Sequence, residues 1–182
     1  MENGITEELA RLKILQGADF IKQLKSIAAR KEFHPLDTDP DIFTVGGEND
    51  ADYQSLLLAA RKAVEHGYKV YILPNPHDFR TADFIFERKN VFKMFDLKNI
   101  SGRAVAGSRL LESVGQSNRV VLNMSIDYNP SSLARAIRNY KFLRPAVESG
   151  RRHYYCDALT TVNVADIATV ISIMAARARS QY

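Results

Sequence analysis

The chain is poor in cysteine: Cys156 is the single one among 182 residues, and tryptophan is absent. A single cysteine cannot form an internal disulfide, so a small scaffold held together by disulfides is excluded. No apolar run approaches the roughly 20 residues that a membrane-spanning helix needs. The first residues also lack the basic and then apolar order of a signal peptide. We therefore expect a cytoplasmic site of action and no membrane partner.

Nucleotide-binding loops and histidine-based metal motifs are also missing. The sequence contains neither a Gly-x-Gly-x-x-Gly pattern nor a Walker-type loop, so chemistry with a nucleotide cofactor has no support. The four histidines are scattered without the spacing of metal ligands. Any metal site in this chain is therefore expected to use carboxylates.

What is present is typical of a folded protein. Hydrophobic residues make up 46% and charged residues 25% of the chain, which excludes global disorder. The length suits one domain, or a core domain with a helical extension. The net charge of +4 is compatible with a polyanionic partner such as nucleic acid.

The amino-terminal part shows a different pattern from the rest. Apolar spacing predicts helices from Thr6 to about Lys31, and an extended linker over 32–41 carries Pro35 and Pro40. We therefore predict an amino-terminal helical extension with its linker over 1–41 and a main domain over 42–182.

The main domain has the order helix, strand, strand, strand, helix, strand. These elements are predicted from the apolar periodicity over 50–65, 68–73, 81–99, 102–115 and 119–124. Further helices over 130–144 and 164–178 and a short strand over 153–158 complete the chain. The predicted class is α/β, with a mixed central sheet flanked by helices.

The stretch 81–99 carries the most informative polar residues. Two alternating apolar runs meet at a polar turn, which predicts a β-hairpin. A turn centred between residues 88 and 89 would place Asp83 opposite Met94 and leave Asp96 diagonal to Asp83 on the same face. Lys98 shares that face. Two carboxylates and an amine on an otherwise apolar face are costly unless they are paired or bind a metal.

The arrangement resembles the PD-(D/E)XK nuclease superfamily. The resemblance rests on Asp83, on Asp96-Leu97-Lys98, on the order of elements and on a carboxylate near the first helix, Glu48. It covers about residues 45–124. Ala82 stands where the superfamily usually has proline, but that proline shapes the backbone and takes no part in the chemistry. The resemblance implies a restriction-endonuclease-like core and a nuclease domain over 42–182.

A narrower resemblance concerns the tRNA-nuclease toxin domains at the carboxyl ends of contact-dependent growth inhibition proteins. It rests on the short stretches 46–48, 63–70, 82–84, 96–98 and 116–122, with Gln116 at a recurrent position of that group. The resemblance implies RNA, and tRNA in particular, as a substrate rather than DNA. It also implies that a cognate immunity protein is a possible partner.

The residue types suit metal-assisted phosphodiester cleavage. Carboxylates can hold Mg²⁺, or Mn²⁺ or Zn²⁺ in its place, and the ion clamps the phosphate and activates water. We expect Asp83 and Asp96 to be metal ligands, Lys98 to face the phosphate, and Glu48 to be a further ligand or a water-orienting base. Asp50 competes with Glu48 for that role. The alternatives are an exposed Asp-Lys ion pair and a glutamate that complements a helix dipole.

Basic residues recur along the predicted helix over 130–144. They stand three residues apart, on one broad face that suits a nucleic-acid backbone: Arg135, Arg138, Lys141 and Arg144. Gln116 is a further candidate for substrate contact. A solvated helix face and a surface glutamine are the alternatives.

A second functional hypothesis is a non-catalytic domain that binds nucleic acid or a protein partner on the same fold. The amino-terminal helices motivate it, because amphipathic helices outside a core often dock on another chain. The two hypotheses differ in geometry. In a nuclease, the carboxylates of Asp83 and Asp96 should be close enough to share a cation on the side of Lys98, whereas splayed carboxylates favour the binding domain. The sequence indicates no oligomeric state.

Overall fold

A computed structural model of the chain describes residues 3–46, 52–75, 80–100, 109 and 119–124. In these residues three helices pack against one mixed six-stranded sheet, so the predicted α/β class is confirmed. None of the described helices combines the length and the apolar character that crossing a membrane requires. The predicted elements over 102–115, 130–144, 153–158 and 164–178 lie outside the described residues.

The elements follow one another in the sheet in the same order as in the chain. The β1–β2, β3–β4 and β4–β5 pairs are antiparallel, and the β2–β3 and β5–β6 pairs are parallel. The helices are α1 (Asn3–Arg11), α2 (Gly17–Ala28) and α3 (Tyr53–Val64), and the strands are β1 (His34–Leu36), β2 (Asp39–Thr44), β3 (Lys69–Ile72), β4 (Phe84–Arg88), β5 (Val91–Ile100) and β6 (Val120–Met124).

Helices α1 and α2 pack on one face of the sheet, called here the α1/α2 face. Leu9 and Leu24 are buried with Ile85 of β4 and Met94 of β5, and together they form one continuous apolar cluster. Amphipathic helices gain most of their stability from such packing. The amino-terminal helices therefore share a hydrophobic core with the sheet.

The segment 32–41 differs from the predicted linker. It contains β1 and the first part of β2, so the predicted boundary after residue 41 lies inside β2. Pro35 is tolerated in β1 because this strand has only β2 as a neighbour among the described strands, and proline lacks a backbone N–H for a second partner. Two prolines in ten residues suggested an irregular linker. Pro35 lies in the marginal strand, and Pro40 lies in β2 before the residues that pair with β3, so both are compatible with strands.

Helix α3 covers the opposite face, called here the α3 face. Ala59 and Ala60 are fully buried and bring α3 close to a layer that includes Phe84, Phe86 and Phe95. Phe86 and Phe95 stack with their ring centroids 4.6 Å apart. The alternation of Phe84 and Phe86 with Ile85, which lies on the α1/α2 face, follows the two-residue period of a strand.

The predicted hairpin is present as β4 and β5, but its predicted register is wrong by two residues. Ile85 pairs with Met94, and the turn is formed by Lys89 and Asn90 with φ of 51° and 62°. These positive values define a two-residue turn that matches the twist of the strands. The Asn90 N–H also donates to Glu87 Oε1 at 2.7 Å. A shift by two residues leaves every side chain on its predicted face.

Candidate active site

Asp83 is fixed by backbone hydrogen bonds on both of its sides. It directly precedes β4; its N–H donates to the Phe95 carbonyl at 3.0 Å, and its carbonyl accepts from the Leu73 N–H at 2.8 Å. The residue therefore lies at the end of the sheet where β3 ends and β4 begins. Two neighbouring strands fix the backbone of Asp83, and this also fixes the point from which its side chain extends.

The Asp83 carboxylate reaches across to β5. Its Oδ2 accepts a hydrogen bond from the Leu97 N–H at 2.6 Å. Asp96, the preceding residue, donates its own N–H to the Arg119 carbonyl at 3.0 Å, next to the start of β6. The two carboxyl groups are neighbours, because the charge of Asp83 contributes to the raised pKa of Asp96. The structure thus brings together the two carboxylates that were predicted to converge.

Asp96 is the most deeply buried charged group of the described chain. Its side chain is 1% exposed, and the ammonium of Lys98 lies 2.9 Å from its Oδ2. No donor among the described residues gives either Asp96 oxygen a well-directed hydrogen bond. A buried carboxylate that lacks its full set of partners is costly, so this position favours a further cation.

The electrostatics of the pair follow from burial and like charge. Burial, followed by the charge of Asp83, raises the pKa of Asp96 to about 8, although the ammonium of Lys98 opposes both effects. Burial likewise raises the pKa of Asp83, although the Leu97 N–H counteracts it. At neutral pH without a metal, the pair therefore retains a proton. A bound divalent cation would favour the doubly ionised pair.

Asp52 is a neighbour that the sequence reasoning missed. It occupies the N-cap position of α3, and its charge contributes to the raised pKa of Asp83. Glu48 and Asp50, the two acidic residues that were considered for this part of the site, lie outside the described residues. The sequence signal for Asp52 is that it follows Glu48 and Asp50 as a third acidic residue directly before a helix.

Within the part of the chain that the structure describes, no group of three or more His, Cys, Asp or Glu side chains is arranged to hold a metal. The described candidates for metal ligands are therefore the two carboxylates, Asp83 and Asp96. Their donor chemistry fits Mg²⁺ or Mn²⁺, because magnesium commonly uses one or two carboxylates and retains several waters. The incomplete hydrogen bonding of the buried Asp96 carboxylate, which has the Lys98 ammonium beside Oδ2, is the structural observation that supports this fit.

The predicted substrate-binding residues are a separate set from the carboxylates of Asp83 and Asp96. Gln116, Arg135, Arg138, Lys141 and Arg144 all lie outside the described residues. Their roles stay predictions from the sequence.

Comparisons of the chain with protein-family models, with curated proteins and with solved structures gave no significant match. The functional argument therefore depends on the side chains and on the geometry described above.

Proposed function

We propose that this protein is a metal-dependent endonuclease that hydrolyses phosphodiester bonds, with Asp83 and Asp96 as ligands of the cation. The observation that carries the proposal is the fully buried Asp96 carboxylate, which has incomplete hydrogen bonding and lies beside a second carboxylate and an amine. A purely structural core has little reason to collect these groups on one face.

Each described residue has a defined task in this proposal. Asp83 is oriented by the Leu97 N–H and holds one side of the cation site, and Asp96 holds the other. When bound, Mg²⁺, or Mn²⁺ or Zn²⁺ in its place, would neutralise the scissile phosphate and lower the pKa of a bound water. Lys98 provides a positive charge for the phosphate on the same face as Asp96. We assign Glu48 as a further ligand or a water-orienting base.

The order of elements supports a restriction-endonuclease-like core. Helix α3 is followed by β3, β4, β5 and β6, in the order on which the superfamily resemblance rests, and β6 pairs in parallel with β5. The resemblance to tRNA-nuclease toxins favours RNA over DNA and an immunity protein as a partner. The basic residues over 135–144 and Gln116 would contact the RNA, and binding should then weaken as the salt concentration rises.

Cleavage of a tRNA pool and of plasmid DNA, in Mg²⁺ and in EDTA, tests the proposal. We expect tRNA cleavage in Mg²⁺ only, and a loss of about a hundredfold or more in Asp96→Asn. Asp41→Asn is the matched control, because Asp41 is an exposed residue of β2 that undergoes the same chemical change. Cleavage in EDTA, or full activity of Asp96→Asn, would contradict the assignment.

One observation favours a second candidate, a non-catalytic nucleic-acid-binding or protein-binding domain. Lys98 already pairs with Asp96, and the described residues add no third metal-ligating side chain to the two carboxylates. Such a domain would bind RNA equally well in Mg²⁺ and in EDTA and would cleave nothing. The same assay therefore separates the two candidates.

A further inference from the structure

We propose that Lys98 competes with the metal for Asp96, so that cation binding and release of the Lys98 amine are one event. The inference rests on the proposed function, because it concerns the cation that Asp83 and Asp96 would share. It assigns to Lys98 a role in the metal-free protein that differs from its role toward the phosphate.

The contact that carries the inference is short and enclosed. The Lys98 Nζ lies 2.9 Å from Asp96 Oδ2, and the two side chains are 13% and 1% exposed. Asp96 and Lys98 stand two residues apart on β5 and therefore share one face of the strand. In the metal-free protein, the ammonium thus provides a positive charge beside the one negative charge that the pair of carboxyl groups keeps.

The ammonium and a divalent cation cannot both remain on the same carboxylate oxygen. Like charges a few ångströms apart repel strongly where water is scarce, and Asp96 is almost completely shielded from water. The lysine is the mobile partner, because its charge sits on a flexible four-carbon stem, whereas Asp96 is held within the sheet. Lys98 also retains more exposure than Asp96, so its amine can move toward solvent.

Release of the amine links two requirements of phosphodiester cleavage, a bound cation and a positive side chain that is available to the phosphate. Without a cation, Lys98 is occupied by Asp96 and is withheld from a phosphate. Once a cation has displaced it, the same amine is available to the phosphate that the cation would bind. The site therefore assembles only when the metal is present, and the metal-free protein keeps Asp96 paired.

Binding of Mn²⁺ to the full chain, followed by the electron paramagnetic resonance of free Mn²⁺, tests the inference without measuring activity. Lys98→Met removes the competing charge and retains most of the side-chain volume. We expect it to bind Mn²⁺ about tenfold or more tightly than the wild type. Lys98→Gln provides a second neutral variant in case the methionine variant does not fold.

Lys93→Met is the matched control for net charge. Lys93 lies on the same strand but on the opposite face, so we expect its loss to change Mn²⁺ affinity by about twofold or less. Affinity in the neutral Lys98 variants equal to or weaker than that of the wild type would overturn the inference, provided that the wild type binds Mn²⁺ and Asp96→Asn does not. Failure of the wild type to bind Mn²⁺ would overturn the metal site itself and, with it, the inference.

Labelling of the wild-type amines adds a measurement that needs no substitution at Lys98. An amine-acylating reagent should modify Lys98 several-fold faster in saturating Mg²⁺ than in EDTA, whereas the rate at the exposed Lys89 should stay constant. An unchanged or slower rate at Lys98 in Mg²⁺ would contradict displacement of the amine.

Discussion

The two faces of β5 differ sharply over a few residues. On the α3 face, Phe95 and Leu97 are buried in an entirely apolar cluster. On the α1/α2 face, Met94 joins an apolar cluster, but Asp96 and Lys98 follow it at the next two positions of the same face. Burial therefore does not determine which of these positions are polar, because Asp96 is as buried as its apolar neighbours. The contrast is between a face that stays apolar along β5 and a face on which an apolar cluster gives way to charged groups.

The largest stability effect is expected on the α3 face. Phe95→Ala removes a buried ring that stacks on Phe86, and we expect it to lower the free energy of unfolding by about 3–5 kcal/mol. Phe92→Ala is the matched control, because Phe92 is only half-buried and lies on the α1/α2 face. Urea unfolding of both variants measures the difference. Equal losses would contradict the distinction between the two faces.

The pH dependence of stability should reveal the buried Asp96 on the α1/α2 face. Since burial raises the pKa of Asp96 from the ordinary 3.8 to about 8, the folded chain binds more protons than the unfolded chain between these values. The free energy of unfolding should therefore fall as the pH rises through this window in EDTA. Each pKa unit corresponds to about 1.4 kcal/mol, so a change on the order of a few kcal/mol is expected.

Asp96→Asn isolates that contribution, because an amide does not titrate in this range. Urea unfolding at pH 5 and pH 8 in EDTA should show a smaller loss of stability in Asp96→Asn than in the wild type. Mg²⁺ should stabilise the wild type at pH 8, where the carboxylates are most easily ionised. A wild-type stability that rises between pH 5 and pH 8 relative to Asp96→Asn would contradict the raised pKa.

A smaller effect is expected at the turn of the hairpin, which is the end remote from the carboxylates. Lys89 adopts a φ of 51°, a conformation that asparagine tolerates better than lysine. Lys89→Asn should raise the free energy of unfolding by about 0.5 kcal/mol and leave cleavage unchanged. Parallel thermal unfolding and tRNA cleavage assays provide the measurement, and a loss of activity would show that the turn takes part in function.

The smallest effect is expected from Asp52→Asn. The charge of Asp52 is the weakest of the effects on the pKa of Asp83 and raises it, so its removal should shift the acidic limb of the pH–rate profile slightly toward lower pH. The Asp52 side chain makes no capping hydrogen bond to α3, so stability should be preserved. A shift toward higher pH would contradict the electrostatic link between Asp52 and Asp83.

The sequence was sufficient to predict on which face of the hairpin each side chain lies. It was insufficient to predict which residues of the two strands pair with each other. A period of two residues places Asp96 with Lys98 whatever the turn, but the turn at Lys89 and Asn90 lacks the glycine that marks most turns of this type. For the same reason the prediction placed Asp83 opposite Met94. In the structure, the Asp83 carboxylate instead lies beside the backbone of Leu97.

Other differences between the prediction and the structure arise from tertiary packing. An amphipathic pattern predicts that Leu9 and Leu24 lie on apolar helix faces, yet it does not say that these faces cover Ile85 and Met94. Pro35 indicates a linker when the sequence is considered alone, because a single sequence does not show which strand lies at a sheet margin. Burial of Asp96 was likewise not predictable, since Asp-Leu-Lys alone is equally typical of an exposed ion pair.

The most direct test of the central claim is the anomalous scattering of a crystal of the full chain soaked in Mn²⁺. Our account predicts a peak within about 2.5 Å of a carboxylate oxygen of both Asp83 and Asp96, with the Lys98 amine moved away from Asp96 Oδ2. No peak between the two carboxylates, with Lys98 still 2.9 Å from Asp96, would contradict it.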